Sequence, residues 1–175
     1  MKKDLKEKPT WLLGFGANVY SQTGEDGIIA KILDILPVQD NWCVEFGASD
    51  GIHASNTRNL IEKKNYNGIF IEGNEVVFNK LQKNYQNHKK VTCIEAVVGF
   101  DKKNNLDHIL KTTTIPVDFD FLSIDIDGND FHVWQAMQTY KPKVICVEFN
   151  PTIPTEVLFV QPPNPQITQG SSLLS

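Results

Sequence analysis

Short apolar runs alternate along this chain with segments whose apolar residues recur at helical spacing. Ile28, Ile29, Ile32, Leu33 and Leu36 are three or four apart, which predicts an amphipathic helix over 24–36, ended by Pro37. The run Trp42-Cys43-Val44-Glu45-Phe46, stopped by Gly47, reads as a buried strand. Residues 55–64 read as a helix capped by Ser55 or Asn56. Gly68-Ile69-Phe70-Ile71 is a second strand, and Val76, Val77, Leu81 and Tyr85 mark the helix after it. A third strand is expected from Val91 to Val98 and a short helix over 104–111. The last elements are a strand from Phe119 to Ile126, a helix over 129–140 and a strand from Lys143 to Phe149. Trp134 and Met137 are expected in the core, with Trp11 and Phe15 covering it.

Strands apolar throughout and alternating with helices predict a three-layer αβα domain with a mostly parallel sheet, a Rossmann-like α/β fold. Ligands of such sheets bind beyond the C-terminal ends of the strands. Those ends read Glu45-Phe46-Gly47, Ile71-Glu72-Gly73, Ala96-Val97-Val98, Asp125-Ile126-Asp127 and Glu148-Phe149-Asn150, so carboxylates gather on one rim. Beyond Asn150, Pro151, Pro154, Pro162, Pro163 and Pro165 forbid regular structure over most of 151–166, and Gln169–Leu174 resembles a helix start. The expected organisation is an N-terminal extension (1–19), a sheet domain (20–150), and a proline-rich loop leading into that helix (151–175).

At 175 residues, 41% hydrophobic and 22% charged, the chain suits one domain with a real core. A net charge of −4 offers nucleic acid no general attraction. Lys2, Lys3, Lys6 and Lys8 are interleaved with Asp4 and Glu7 and read as a solvated tail. No apolar run is long enough to cross a membrane, and no signal peptide is visible. Cys43, Cys93 and Cys146 match no zinc or redox spacing. They are expected as buried free thiols, which points to a reducing, cytoplasmic setting.

The most informative stretch is Glu45-Phe46-Gly47-Ala48-Ser49-Asp50-Gly51. A dinucleotide fingerprint needs glycine where Ser49 and Ile52 stand. Asp50 would also set a carboxylate against a pyrophosphate. S-adenosylmethionine (SAM) carries no phosphate; its sulfonium and ammonium outweigh one carboxylate, so an acidic rim suits it. Glu72, 21 residues after Gly51, has the separation of an acid that accepts hydrogen bonds from ribose hydroxyls. Asp125, Asp127, Asp130, Glu148 and Asn150 could together hold Mg²⁺ or Ca²⁺. The reading preferred over a metal is that these groups bind the cofactor, cap the next helix and hydrogen-bond to loops. His132 could face the site as a base, although a solvent-facing or packing role is preferred; His53 is ambiguous, and His88 and His108 are expected to be exposed.

Four stretches in order, Tyr20-Ser21-Gln22-Thr23-Gly24-Glu25-Asp26, the 45–51 loop, Ile71-Glu72 and Ser123-Ile124-Asp125-Ile126-Asp127-Gly128, resemble the FkbM-type SAM-dependent methyltransferases of the class I superfamily. The resemblance implies SAM as cofactor, with Gly47, Ala48, Asp50 and Gly51 along its methionine part and Glu45 among the cofactor contacts. It implies Glu72 at the ribose, Val97 near the adenine, and Asp125 beside the ammonium or the reacting centre. Tyr20, Ser21 and Gln22 would approach the cofactor from the preceding segment. It further implies O-methylation of a hydroxyl on a small molecule or glycan, with Asp125 or Asp127 taking the proton. Ser49 stands where this superfamily commonly has glycine. The fold also usually continues past the fifth strand with a helix and two strands. The chain is therefore expected to lack those C-terminal strands, to leave its fifth strand as an edge, and to bind SAM better than it turns over. The rival expectations are a non-catalytic binding or scaffold module and, less favoured, an NAD-dependent oxidoreductase.

Overall fold

The computed structural model describes residues 10–149, 153–154 and 156–166. The basic tail, Asn150 and the helix start expected at 169–174 lie outside those residues.

Five strands form one parallel sheet: β1 (Trp42–Phe46), β2 (Asn67–Glu72), β3 (Val91–Glu95), β4 (Phe121–Ile124) and β5 (Val144–Val147). Their spatial order is β3-β2-β1-β4-β5. Helices α1 (Glu25–Ile35), α2 (Arg58–Lys64), α3 (Glu75–Tyr85), α4 (Leu106–Leu110) and α5 (Asp130–Ala136) cover its two faces. The expected three-layer Rossmann-like fold is the observed one. Its cause lies in the strands, which are apolar at successive positions and bury side chains on both faces. On one face Cys43, Phe70 and Phe121 pack with Ile29 and Leu33 of α1, Leu60 and Ile61 of α2, and Phe78 and Leu81 of α3. On the other, Val44, Phe46, Ile71, Leu122 and Ile124 pack with Leu106 and Leu110 of α4 and Val133 of α5. Phe46, Phe70, Phe119 and Phe121 are wholly buried, each worth about 1.5–3 kcal/mol of transfer free energy. At the opposite edge from the strand C-termini, buried Asp120 accepts from the Asp40 and Asn41 amides and pairs with Lys143 at 2.8 Å.

Several boundaries differ from the sequence expectation for identifiable reasons. The N-cap position of α2 is Thr57, whose hydroxyl donates to the buried Glu45 carboxylate at 2.6 Å; Ser55, expected as the cap, donates to the same carboxylate and accepts from the Arg58 amide, the first of the helix, at 3.1 Å. Helix α5 ends at Ala136, where the expectation ran to 140. The next amides, those of Gln138, Thr139 and Tyr140, donate to the Asp107 carboxylate and leave the helical path. Strands β3, β4 and β5 stop two or three residues early at their C-terminal ends, where the chain turns outward to form the rim. So short an α5 buries Val133, and Trp134, expected in the core, is 43% exposed. Met137 packs partly buried against the core. Trp11 and Phe15 do not cover the core. They sit exposed on a 3-10 turn, Trp11–Phe15, stacked edge to face at 5.8 Å, with Lys31 of α1 over the Phe15 ring. His88 is half-buried beside Tyr85. The three thiols are unbridged, Cys43 buried and Cys93 and Cys146 half-buried. Among the described residues no helix is long and apolar enough to cross a membrane.

Candidate functional site

Connections from β1 run to one side of the sheet and those from β4 to the other, so the strand order reverses between these two neighbours. A crevice opens where the loops after them part. There a cavity of about 640 Å³ is lined by residues following β1 (Gly47, Ser49), β2 (Glu72, Gly73, Asn74), β3 (Ala96 to Asp101) and β4 (Asp125 to Asp127). Asn104, Val77 of α3, Asn129 and Pro165 complete the wall.

The loop after β1 is held at nearly every turn. Gly47, Ser49 and Gly51 all have positive φ, at 71°, 49° and 71°. The Ala48 amide donates to the Ile71 carbonyl, and the Ser49 amide to Glu72 Oε2 at 2.9 Å. Asp50 turns back on its own loop, accepting from the Ile52 and His53 amides and meeting His53 Nδ1 at 2.7 Å. Burial acts to raise the Asp50 pKa, but these hydrogen bonds outweigh it and hold the carboxyl below its ordinary value. Asn84 and Tyr85 of α3 hold the carbonyls of Asp50 and Gly51. No helix springs from this loop: α2 begins only at Arg58. The helix N-terminus that a dinucleotide pyrophosphate requires is absent from it.

Glu72 is 8% exposed. Its Oε1 accepts from the Asn74 amide at 2.8 Å, while its Oε2 holds Ser49. Each oxygen keeps a lone pair for a further donor. The carboxylate thus joins two loops of the rim.

Beyond β4 the chain turns sharply through Asp127 (φ 55°) and Gly128 (φ 145°). Fully buried Asp130 accepts from the Ile126 and Gly128 amides at 2.9 Å, which fixes the turn. Asp125, Asp127 and Glu148 are left with one oxygen each inside a group 4.8 Å across. Burial, then the charges of Asp127 and Asp130, push the Asp125 carboxyl up to about 6. Burial, then Asp125, Asp127 and Asp130, push Glu148 up to about 7. Three oxygen donors so close could hold a hard divalent cation or a cationic organic group. Of the five residues grouped in the sequence, Asp130 is engaged by the turn and Asn150 is outside the described residues.

The structure brings Gly47, Glu72, Val97, Asp125 and Asp127 onto one cavity wall. It sets the other expected residues elsewhere. Glu45 is a buried tie away from the cavity: its carboxylate accepts from Ser55, Thr57 and the Asn56 amide, and burial raises its pKa despite them. Ala48 packs in the core, and Asp50 and Gly51 shape the loop without lining the cavity. The segment 20–26 closes on itself. One Asp26 oxygen takes the amides of Val19, Tyr20 and Ser21; Gln22 is exposed and does not line the cavity. Sequence reasoning missed Ser49 as a lining residue, along with Asn74, Asp101, Asn104, Asn129 and Pro165. Position just after a strand end was the available signal for Asn74 and Asp101. Nothing local marked Pro165.

No family model matches the chain, and no curated protein matches it. Among solved structures it is similar to the MccD protein, with 12% identity over 80% of this chain and 64% of that one and a TM-score of 0.48. A putative sarcosine dimethylglycine methyltransferase from Galdieria sulphuraria shares 13% over 78% of this chain and 56% of that one, with a TM-score of 0.47. The CurJ carbon methyltransferase shares 13% over 67% of this chain and 31% of that one, with a TM-score of 0.45. The chain thus spans between 31% and 64% of the length of these proteins.

Proposed function

We propose that this chain binds SAM in the β1–β4 cavity and transfers its methyl group to a hydroxyl of a small molecule or glycan. The observation carrying this reading is the charge of the wall. Its ionisable side chains, Glu72, Asp101, Asp125 and Asp127, are all acidic, and no Lys, Arg or His lines it among the described residues. Such a wall repels phosphate-bearing cofactors and complements a sulfonium and an ammonium. Two features of the loop add to it: Glu72 keeps acceptor capacity for hydroxyls, and the glycine loop lacks the helix N-terminus that nucleotide phosphates use.

When bound, SAM supplies an electrophilic methyl carbon on sulfur. The chain's own contribution is to hold cofactor and acceptor in line and to exclude water. Glu72 would hold the cofactor's ribose hydroxyls, and Asp125 and Asp127 would face its cationic end and the acceptor hydroxyl. The acceptor's proton would pass to Asp125 or Asp127. With a pKa of about 6, Asp125 is ionised near neutrality yet more basic than an ordinary carboxylate.

Calorimetric titration with SAM, S-adenosylhomocysteine and NAD tests the cofactor. SAM binding without NAD binding is expected, and the reverse would overturn the proposal. A second assay, following methyl transfer from labelled SAM to hydroxyl acceptors, separates an enzyme from a module that only binds.

A further inference from the structure

Resting on the cofactor reading above, we infer that residues 161–166 form a stiff strap over the cavity mouth, latched to α5 by Asn129 and His132. The segment reads Gln161-Pro162-Pro163-Asn164-Pro165-Gln166. Three prolines lock φ along half its length and remove three backbone donors. It is therefore a pre-ordered bar that loses little entropy on docking. Pro165 forms part of the cavity wall.

Among the described residues, polar contacts dock it. The Asn129 side chain meets the strap backbone twice: its Nδ2 donates to the Asn164 carbonyl at 2.8 Å, and its Oδ1 accepts from the Asn164 amide at 3.2 Å. His132 Nε2 donates to the Gln161 carbonyl at 2.6 Å. The Gln166 amide is satisfied within the strap by Asn164 Oδ1 at 3.0 Å. Gln161 is buried, but 162–166 are exposed, so apolar burial does not hold the strap down.

Asn129 supplies a second observation. It occupies the N-cap position of α5, where an asparagine side chain ordinarily accepts from the first helical amides. It makes no such bond, and its amide reaches across to the strap. The Asn129 side chain thus reaches a segment 35 residues away rather than capping its own helix. The His132 ring is fixed for the same reach between Phe100 and Phe131, at 5.9 and 5.6 Å. A latch of polar contacts opens at lower free-energy cost than a packed core, and a ligand touching Pro165 in the cavity stabilises the closed form by the same coupling that slows its own escape.

Two substitutions test the latch. Asn129→Ser can still cap α5 but is too short to reach the strap. His132→Phe keeps the ring packing and removes the Nε2 donor. Amide exchange at Asn164, followed by NMR without ligand, should accelerate roughly tenfold or more in Asn129→Ser, with the β1 and β4 amides unchanged. Dissociation of S-adenosylhomocysteine, followed by stopped flow, should accelerate in both variants, with little change in melting temperature. An Asn164 amide unprotected in the unmodified protein, or dissociation unaffected in both variants, overturns the strap. If S-adenosylhomocysteine fails to bind at all, the cofactor reading falls, and the latch is decided by the ligand-free exchange alone.

Discussion

Gly47 lies against the backbone of Asp125: a Cβ on Gly47 would stand 1.8 Å from the Asp125 carbonyl oxygen. Glycine here lets the loop after β1 pass directly beside the end of β4, and that contact forms the floor of the cavity. With φ at 71°, Gly47 is also in the region that disfavours side chains. Gly47→Ala is expected to cost roughly 2–4 kcal/mol, from overpacking and left-handed strain together. It should abolish cofactor binding by prising β1 from β4. Thermal unfolding and SAM titration check this; a folded Gly47→Ala protein with undiminished SAM affinity would refute the contact's role.

Ser49 adopts φ of 49° two residues later. Its amide, not its side chain, makes the hydrogen bond to Glu72. Ser49→Gly should therefore keep that bond and relieve strain, offset in part by the extra freedom of glycine in the unfolded chain. The expected net effect is a gain of up to about 1 kcal/mol, read from denaturant unfolding. A loss of stability would mean that the hydroxyl makes a compensating contact.

Glu72→Gln retains one carbonyl acceptor and replaces the other with a donor facing an amide. Stability should fall by about 1–3 kcal/mol, the cost of a buried unsatisfied group, and SAM affinity should fall by a similar amount. Because the residue ties two loops, both readouts are needed. Lowered stability with unchanged affinity would leave Glu72 a purely structural tie and remove it from the ribose.

Asp125 and Glu148 have native pKa values of about 6 and about 7, above the ordinary carboxylate range of roughly 3.9–4.3. Both groups bind a proton more tightly when folded. Their contribution to stability is complete below the unfolded pKa and is lost as pH rises through the native values. The ligand-free protein should thus melt at a lower temperature at about pH 8 than at about pH 5.5, and SAM should bind more tightly over the same rise as the carboxylates ionise. Glu148→Gln should flatten both trends. SAM affinity that does not vary with pH would dissociate the acidic rim from cofactor binding.

Asp127 occupies positive φ (55°), a conformation asparagine tolerates well. Asp127→Asn should keep the turn, since Asp130 fixes it. Removing this charge should lower the Asp125 and Glu148 pKa values and slow methyl transfer. A pH–rate profile that does not shift would exclude Asp127 from the charged group.

Periodicity and residue type make the sheet legible in the sequence itself. Trp42–Val44 and Phe121–Leu122 bury both faces because they carry apolar side chains at successive positions, and this is a local property that survives into the fold. The collection of carboxylates on one rim was legible for the same reason: in a parallel sheet every strand ends on the same side. Glu72, Asp125 and Asp127 follow from their places at the ends of parallel strands.

The use each carboxylate is put to depended on partners distant in sequence. Glu45 and Glu72 look equivalent at two strand ends, yet Glu45 turns to Ser55 and Thr57 inside the protein while Glu72 borders the cavity. Asp107 shortens α5 by taking amides about thirty residues away, and Asn129 leaves its own helix uncapped to hold Asn164. Side-chain periodicity specifies a face and an end, because those follow from backbone geometry repeated residue by residue. It does not specify which of several nearby donors a buried carboxylate or amide will meet. That is set by how the packed layers bring the loops together, where leaving a polar group unpaired costs more than bending a helix end.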